Sequence, residues 1–180
     1  VCVNPTRTGL FDWLRLIGAN VAHRPSGHGA GDEPMAELSV AHGGIRGSVA
    51  GGELIVRMID EIPAVCALAA VASGRTEIRD AAELRVKESD RIATMAQVLG
   101  AFGVPCEELP DGMFVTGGAA LRGAQIESQG DHRIAMSAAL LGMLADGETT
   151  IDGAEAVDTS FPGFVALMRS LGADITEETP

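Results

Sequence analysis

Met95-Ala96-Gln97-Val98-Leu99-Gly100-Ala101-Phe102-Gly103-Val104-Pro105-Cys106 is the stretch whose pattern decides the fold. Met95, Val98, Leu99 and Phe102 stand at i, i+3, i+4 and i+7, the spacing of one helical face, and Gly103 ends the run as a helix-terminating glycine should. The pattern occurs twice more: Leu10, Trp13, Leu14, Ile17 then Gly18, and Phe164, Leu167, Met168, Leu171 then Gly172. A short β-like segment follows each copy: Ala19-Asn20-Val21, Val104-Pro105-Cys106 and Ala173-Asp174-Ile175. Five matching positions in three copies make an internal repeat, with divisions expected near 1–56, 57–120 and 121–180.

A second helix type recurs. Ile62 to Ala72 ends at Ser73-Gly74-Arg75, and Ala135 to Ala145 ends at Asp146-Gly147-Glu148. Both runs carry small apolar residues on nearly every face, so they are expected to be buried all round. Aligned on Gly74 and Gly147, Asp60 and Arg133 fall at equivalent places, at or just before the helix start. Further strands are expected at Ala36–Val40, Thr76–Arg79, Met113–Val115 and Thr149–Ile151, and residues 24–34 read as an exposed loop. The class is α/β: repeated helix–strand units around shared buried helices.

Composition narrows the function. The net charge of −12 argues against a nucleic-acid surface, which needs clustered Lys and Arg. A 3% aromatic content without Tyr leaves the core to Ala, Val, Leu, Ile and Met, with Met95, Met136, Met143 and Met168 expected inside. The three cysteines, Cys2, Cys66 and Cys106, show no metal-ligand spacing, and Cys66 reads as a buried hydrophobe. No membrane span or signal peptide is visible, and a cytoplasmic location is expected. The chain opens at Val1 within three residues of a strand-like segment and reads as part of something longer.

An acidic protein that binds anions must concentrate its few cations. In Leu84-Arg85-Val86-Lys87-Glu88-Ser89-Asp90-Arg91, five of eight residues are charged, and the apolar face of a helix follows at once. A helix N-terminus attracts anions. Lys87 and Arg91 add cations, and Glu88 between them can move a proton. The same residues also suit a capped, solvated helix start, with Ser89 as N-cap. Arg133 opens an apolar helix and can grip a carboxylate or phosphate in a fork, or simply pair with Asp131 or Glu61. Asp60 can favour a helix dipole, and His132 can carry a proton or orient its neighbours. Because these residues all sit at helix N-termini, they are expected to gather at one end of the domain. The glycine pairs 43–44, 51–52 and 117–118 are turn signals, with no phosphate-loop pattern around them. Two readings follow: acid–base chemistry on a phosphorylated or carboxylated metabolite, or a non-catalytic anion-binding domain.

Asn4-Pro5-Thr6-Arg7-Thr8-Gly9, Asp60-Glu61-Ile62-Pro63, Leu84 to Arg91, Asp131-His132-Arg133-Ile134-Ala135-Met136 and Ser160-Phe161-Pro162 stand in the order seen in the 5-enolpyruvylshikimate-3-phosphate (EPSP) synthases. The chain resembles the C-terminal portion of that longer enzyme. The resemblance implies an inside-out α/β (enolpyruvyl transferase-like) domain, one of two in the full enzyme, with the site in the cleft between them. It implies transfer of the enolpyruvyl group of phosphoenolpyruvate to the 5-hydroxyl of shikimate 3-phosphate, with release of phosphate, in the shikimate pathway to aromatic amino acids. No metal or organic cofactor is implied, and the herbicide glyphosate would compete with phosphoenolpyruvate. By motif, Asp60 would take the hydroxyl proton and Glu88 would protonate the methylene carbon. Lys87 would touch both substrates, Arg91 and Arg133 would grip phosphoenolpyruvate, and Glu61, Asp131 and His132 would support them. Many relatives carry Lys where Thr159 stands. The UDP-N-acetylglucosamine enolpyruvyl transferases share this fold and chemistry, but the Lys-Glu-Ser-Asp-Arg run favours the shikimate enzyme. The expected partners are the two substrates and the N-terminal domain of the same enzyme, with neither nucleic acid nor membrane. The chain alone is expected to be inactive, with self-association through its cleft face.

Overall fold

The computed structural model describes residues 1–178. Helix α1, Gly9–Leu16, turns Trp13 fully inward, and the chain leaves it through Gly18 at φ 88°. Helix α2, Glu53–Val56, packs against it. Gly9 is required at that contact, because a Cβ there would lie 2.9 Å from the backbone of both Leu54 and Arg57. Between these helices, β1 (Asn20–His28) and β2 (Pro34–Ala41) form an antiparallel hairpin with an irregularity between Pro25 and Gly27. The expected loop at 24–34 is therefore corrected: residues 24–28 and 34 are strand, and only the middle is turn. The ladder is almost wholly solvent-exposed on β1, so no apolar alternation marked it in the sequence.

The main sheet has the order β3-β4-β6-β5. Strand β3 (Val49–Ala50) runs parallel to β4 (Gly74–Ile78), which pairs antiparallel with β6 (Gly112–Gly117), and β6 pairs antiparallel with β5 (Cys106–Leu109). Helix α3, Ile62–Val71, joins β3 to β4, and α4, Arg91–Ala101, joins β4 to β5. In the same manner β7 (Gln125–Glu127) runs parallel to β8 (Thr150–Asp152), with α5, His132–Gly142, between them. Two short helices follow, α6 (Ala156–Ser160) and α7 (Phe164–Ser170).

The small-residue helices are central, as expected. Val65, Cys66, Ala69 and Ala70 of α3 and Ile134, Ala138 and Leu141 of α5 are sealed from solvent, and the two helices pack on one another. Small side chains let backbones approach: a Cβ on Gly117 would fall 2.2 Å from both Ala69 O and Ala72 O. Helix α4 buries Met95, Val98 and Leu99, with Phe102 behind them, and ends at Gly103 with φ 81°. Burial of each such side chain contributes about 1.5–3 kcal/mol. A second cluster joins Ala135, Ala139, Val157 and Phe164.

Two further expectations are corrected. Met143 is 37% exposed, since it lies just beyond the end of α5 where the chain turns away from the core. Residues 173–175 form no strand, because among the described residues no strand stands beyond them to pair as β2 does for β1 and β6 for β5. Among the described residues, no helix is long and apolar enough to cross a membrane.

Candidate active site

Asp60 sits in a single 3-10 turn, Ile59–Glu61, that delivers the chain into α3, where Pro63 suits a first helical turn. Its carboxylate is the meeting point of four cations. Lys87 Nζ lies 3.8 Å and Arg91 Nη1 3.5 Å from Oδ1, while Arg133 Nη2 at 3.6 Å and Arg7 Nη2 at 3.4 Å approach Oδ2. Arg133 Nη1 also donates to the Asp60 carbonyl at 2.9 Å, which fixes the turn as well as the carboxylate.

Lys87 and Glu88 follow another 3-10 turn, Ala82–Val86. Arg85 clamps that turn to the β5–β6 hairpin: Nε donates to Pro110 O at 2.7 Å, Nη2 meets Leu109 O and Glu108, and Nη1 meets Asp90 Oδ2 at 2.9 Å. Its hydrogen bonds to Asp90 and Glu108 push its pKa above the ordinary arginine value. Asp90, not Ser89, caps α4, accepting from Ala93 N at 3.1 Å, so the expected N-cap moves by one residue. Ser89 is thereby freed to donate to Asp131 Oδ2 at 3.0 Å.

Asp131 ties the two helix starts together. It caps α5 by accepting from Arg133 N at 2.9 Å, and it takes Arg91 Nε at 2.8 Å and Nη2 at 3.3 Å. Burial pushes its pKa up, but the bonds and charge of Arg91, the Arg133 N–H and the Ser89 hydroxyl outweigh that and hold it below the usual carboxylate value. Glu88 Oε2 receives Arg91 Nη2 at 2.7 Å and stays half-exposed, so it faces both the cations and solvent. Arg91 is 1% exposed, yet its Nη1 has no hydrogen-bond partner and stands on the Asp60 side of the cluster. That donor faces the Asp60 carboxylate at 3.5 Å, so the buried Arg91 charge is directed at Asp60.

The structure thus brings together Asp60, Lys87, Glu88, Arg91, Asp131 and Arg133. It gives Glu61 and His132 no side-chain hydrogen bond among the described residues, and Thr159 Oγ1 donates within its own helix to Ala156 O at 2.7 Å. Local sequence carries no sign of three contacts: Arg7 on Asp60, Glu83, which holds Lys87 Nζ at 2.6 Å, and the Arg85 clamp. Arg7 lies in the Asn4–Gly9 motif, but nothing local links it to a partner 53 positions away. Among the described residues, no three His, Cys, Asp or Glu side chains converge to hold a metal ion. What the cluster can do is bind a multiply charged anion beside two carboxylates able to move protons.

This fold and this cluster define an inside-out α/β domain of the enolpyruvyl-transferase type. The family model for EPSP synthase (3-phosphoshikimate 1-carboxyvinyltransferase) matches residues 1–168, and the chain belongs to that family. The chain is 50% identical over 175 residues to the 3-phosphoshikimate 1-carboxyvinyltransferase of Pelotomaculum thermopropionicum, covering 97% of this chain and 40% of that protein. It is also 50% identical to the one from Roseiflexus castenholzii, over 95% of this chain and 39% of that protein. The chain therefore spans about 40% of the length of the curated relatives it matches. An EPSP synthase structure from Acinetobacter baumannii superposes with a TM-score of 0.92 at 36% identity, over 99% of this chain and 41% of that one. The enolpyruvyl transferase NikO from Streptomyces tendae shares the fold, with a TM-score of 0.71 at 23% identity over 97% of this chain and 37% of that one.

Proposed function

We propose that this chain supplies one face of an active site that transfers the enolpyruvyl group of phosphoenolpyruvate to the 5-hydroxyl of shikimate 3-phosphate. The observation that carries the reading is the Asp60 carboxylate ringed by Lys87, Arg91 and Arg133, with Glu88 on Arg91. Asp60 accepts the proton of the 5-hydroxyl as its oxygen bonds to C2 of phosphoenolpyruvate. The double-bond electrons take a proton from Glu88, turning the methylene into a methyl group. In the tetrahedral intermediate, charge on the phosphate and carboxylate lies against Lys87, Arg91 and Arg133, whose positions are fixed before substrate arrives. The C2–O bond to phosphate then breaks as the leaving phosphate takes the proton held by Asp60, Glu88 takes back a methyl proton, and the enol ether forms.

The missing face comes from an N-terminal portion of the same enzyme, which brings the rest of the shikimate phosphate pocket. In the same reading the chain is a set of repeated units divided near 56 and 120. The parallel pairs that frame α3 and α5 support the repetition, and the first division runs through a sheet, since β3 lies before it and β4 after it.

Phosphate release from phosphoenolpyruvate plus shikimate 3-phosphate tests the proposal, with the chain alone and with the N-terminal portion of a close relative added. Turnover is expected only in the mixture, with Glu88→Gln lowering it by roughly 10²- to 10⁴-fold. A mixture in which Glu88→Gln and Asp60→Asn turn over like wild type would overturn it.

A further inference from the structure

The motif Asn4-Pro5-Thr6-Arg7-Thr8-Gly9 has no part in the chemistry above, yet it is built as carefully as the helix starts that do. Asn4 Oδ1 accepts from Thr6 N at 3.0 Å and Thr6 Oγ1 at 2.8 Å, closing the 3-10 turn Pro5–Arg7. Asn4 Nδ2 donates to Glu33 Oε2 at 3.1 Å, and Val3 N to Pro34 O at 2.8 Å, so the turn is tied to the β1–β2 hairpin. From the other side Arg57 grips it, with Nε on Pro5 O at 2.8 Å and Nη2 on Thr8 Oγ1 at 2.7 Å, while Asp12 Oδ2 holds the same guanidinium at 2.7 Å. From this scaffold Arg7 reaches Asp60, its Nη2 donating to Oδ2 at 3.4 Å.

Charge decides what Arg7 does there. The ion-pair network at the site contains the carboxylates Asp60, Glu83, Glu88 and Asp131 and the cations Arg7, Lys87, Arg91 and Arg133. With Glu88 holding the proton it delivers, the network without Arg7 carries three negative and three positive charges, on a chain whose net charge is −12. Arg7 tips that balance to net positive, which favours the phosphate and carboxylate the site must bind. Arg7 is 61% exposed and touches Asp60 through Nη2 alone, which leaves its other donors directed at no protein group among the described residues.

We propose that Arg7 is a fourth anion-binding cation of this site, contributed by the first repeat, and that Arg57 is the positioning residue that holds its turn. The proposal rests on the functional reading above. An anion entering beside Asp60 meets both Arg7 and Arg133, which approach the same carboxylate oxygen, and the clamp fixes the backbone from which Arg7 reaches it.

The test is calorimetric titration of the chain with phosphoenolpyruvate, and separately with inorganic phosphate. Arg7→Gln should weaken phosphoenolpyruvate binding on the order of tenfold, as loss of a charge-assisted contact does. Arg7→Lys should recover part of the loss, because it restores charge without the fork. Arg57→Lys should weaken binding while leaving Arg7 in place, and Arg24→Gln on the exposed hairpin should change nothing. If Arg133→Gln weakens binding and Arg7→Gln does not, Arg7 is no ligand and the proposal is overturned while the site reading stands. If Arg7→Gln weakens binding and Arg57→Lys does not, the clamp is overturned alone. If wild type binds neither anion even with the N-terminal portion of a close relative added, or neither arginine matters, both readings fall.

Discussion

Arg91 and Asp131 form a two-point ion pair closed to solvent: Nε to Oδ2 at 2.8 Å and Nη2 to Oδ1 at 3.3 Å, with neither side chain more than 1% exposed. The pair joins the first residue of α4 to the residue that caps α5, so one contact fixes the relative position of two helix N-termini. Removing one partner leaves a buried charge. Asp131→Ala should cost about 3–5 kcal/mol, read from urea unfolding. Ser89→Ala, which deletes only a supporting hydroxyl, should cost about 1 kcal/mol. Equal losses in the two variants would show that the ion pair does not hold the helix starts.

The same carboxylate gives stability a pH dependence. Its folded pKa lies below the unfolded value of about 3.9, so on acidification the unfolded chain takes up this proton first. The contribution is complete above the unfolded pKa and is lost as pH falls through the lowered folded value. Urea midpoints for wild type should therefore drop on going from pH 6 toward pH 3, and Asp131→Asn should drop less steeply. Parallel curves for the two proteins would contradict the assignment.

Close backbone approach makes a mutational prediction at Gly117. An added methyl meets Ala69 O and Ala72 O at 2.2 Å, and both belong to backbone that cannot swing aside. Gly117→Ala should destabilise by at least about 1–3 kcal/mol, whereas Gly43→Ala, with open space around it, should be nearly neutral. Thermal melts of the two variants compare them directly.

The thiols should separate by environment. Burial pushes the Cys66 thiol up to about 12, with Cys106 adding to the shift, and its Sγ rests 3.5 Å from Met113 Sδ. Burial also raises Cys106, followed by the nearby Glu108 carboxylate. Cys2 is exposed. With an aromatic disulfide reagent at pH 8, Cys2 should react within mixing and Cys66 only after denaturation. Prompt labelling of Cys66 in the folded protein would show that α3 is not the sealed core helix described.

The Arg85 clamp predicts a dynamic effect. Arg85→Met removes the donors that bind the Ala82–Val86 turn to Leu109 and Pro110, so amide exchange should accelerate across residues 82–90 and at the hairpin tip. Phosphoenolpyruvate binding to the chain should weaken in parallel, since Lys87 and Glu88 ride on that turn. Unchanged exchange would remove the clamp from the account.

The helices and their endings were legible in the sequence because their causes are local. Apolar spacing marked α1, α4 and α7, and Gly18, Gly103 and Gly172 all adopt the positive φ that ends such helices. Gathering of the charged residues followed from their shared place at helix N-termini. What stayed hidden was set by partners distant in the chain. Ser89 and Asp90 are both good caps, and only the approach of Asp131 decides which one turns away. Arg7 carries no local sign of Asp60, and the exposed face of β1 has no apolar period to betray a strand.

Asp60 meets partners that lie 53, 27, 31 and 73 positions away in the chain, at Arg7, Lys87, Arg91 and Arg133. No fragment of the fold can hold this charge arrangement, so the unfolded chain offers an anion nothing to recognise. Ligand occupancy and foldedness are therefore thermodynamically linked. An anion at a hundred times its dissociation constant adds about 2.7 kcal/mol to the folded state.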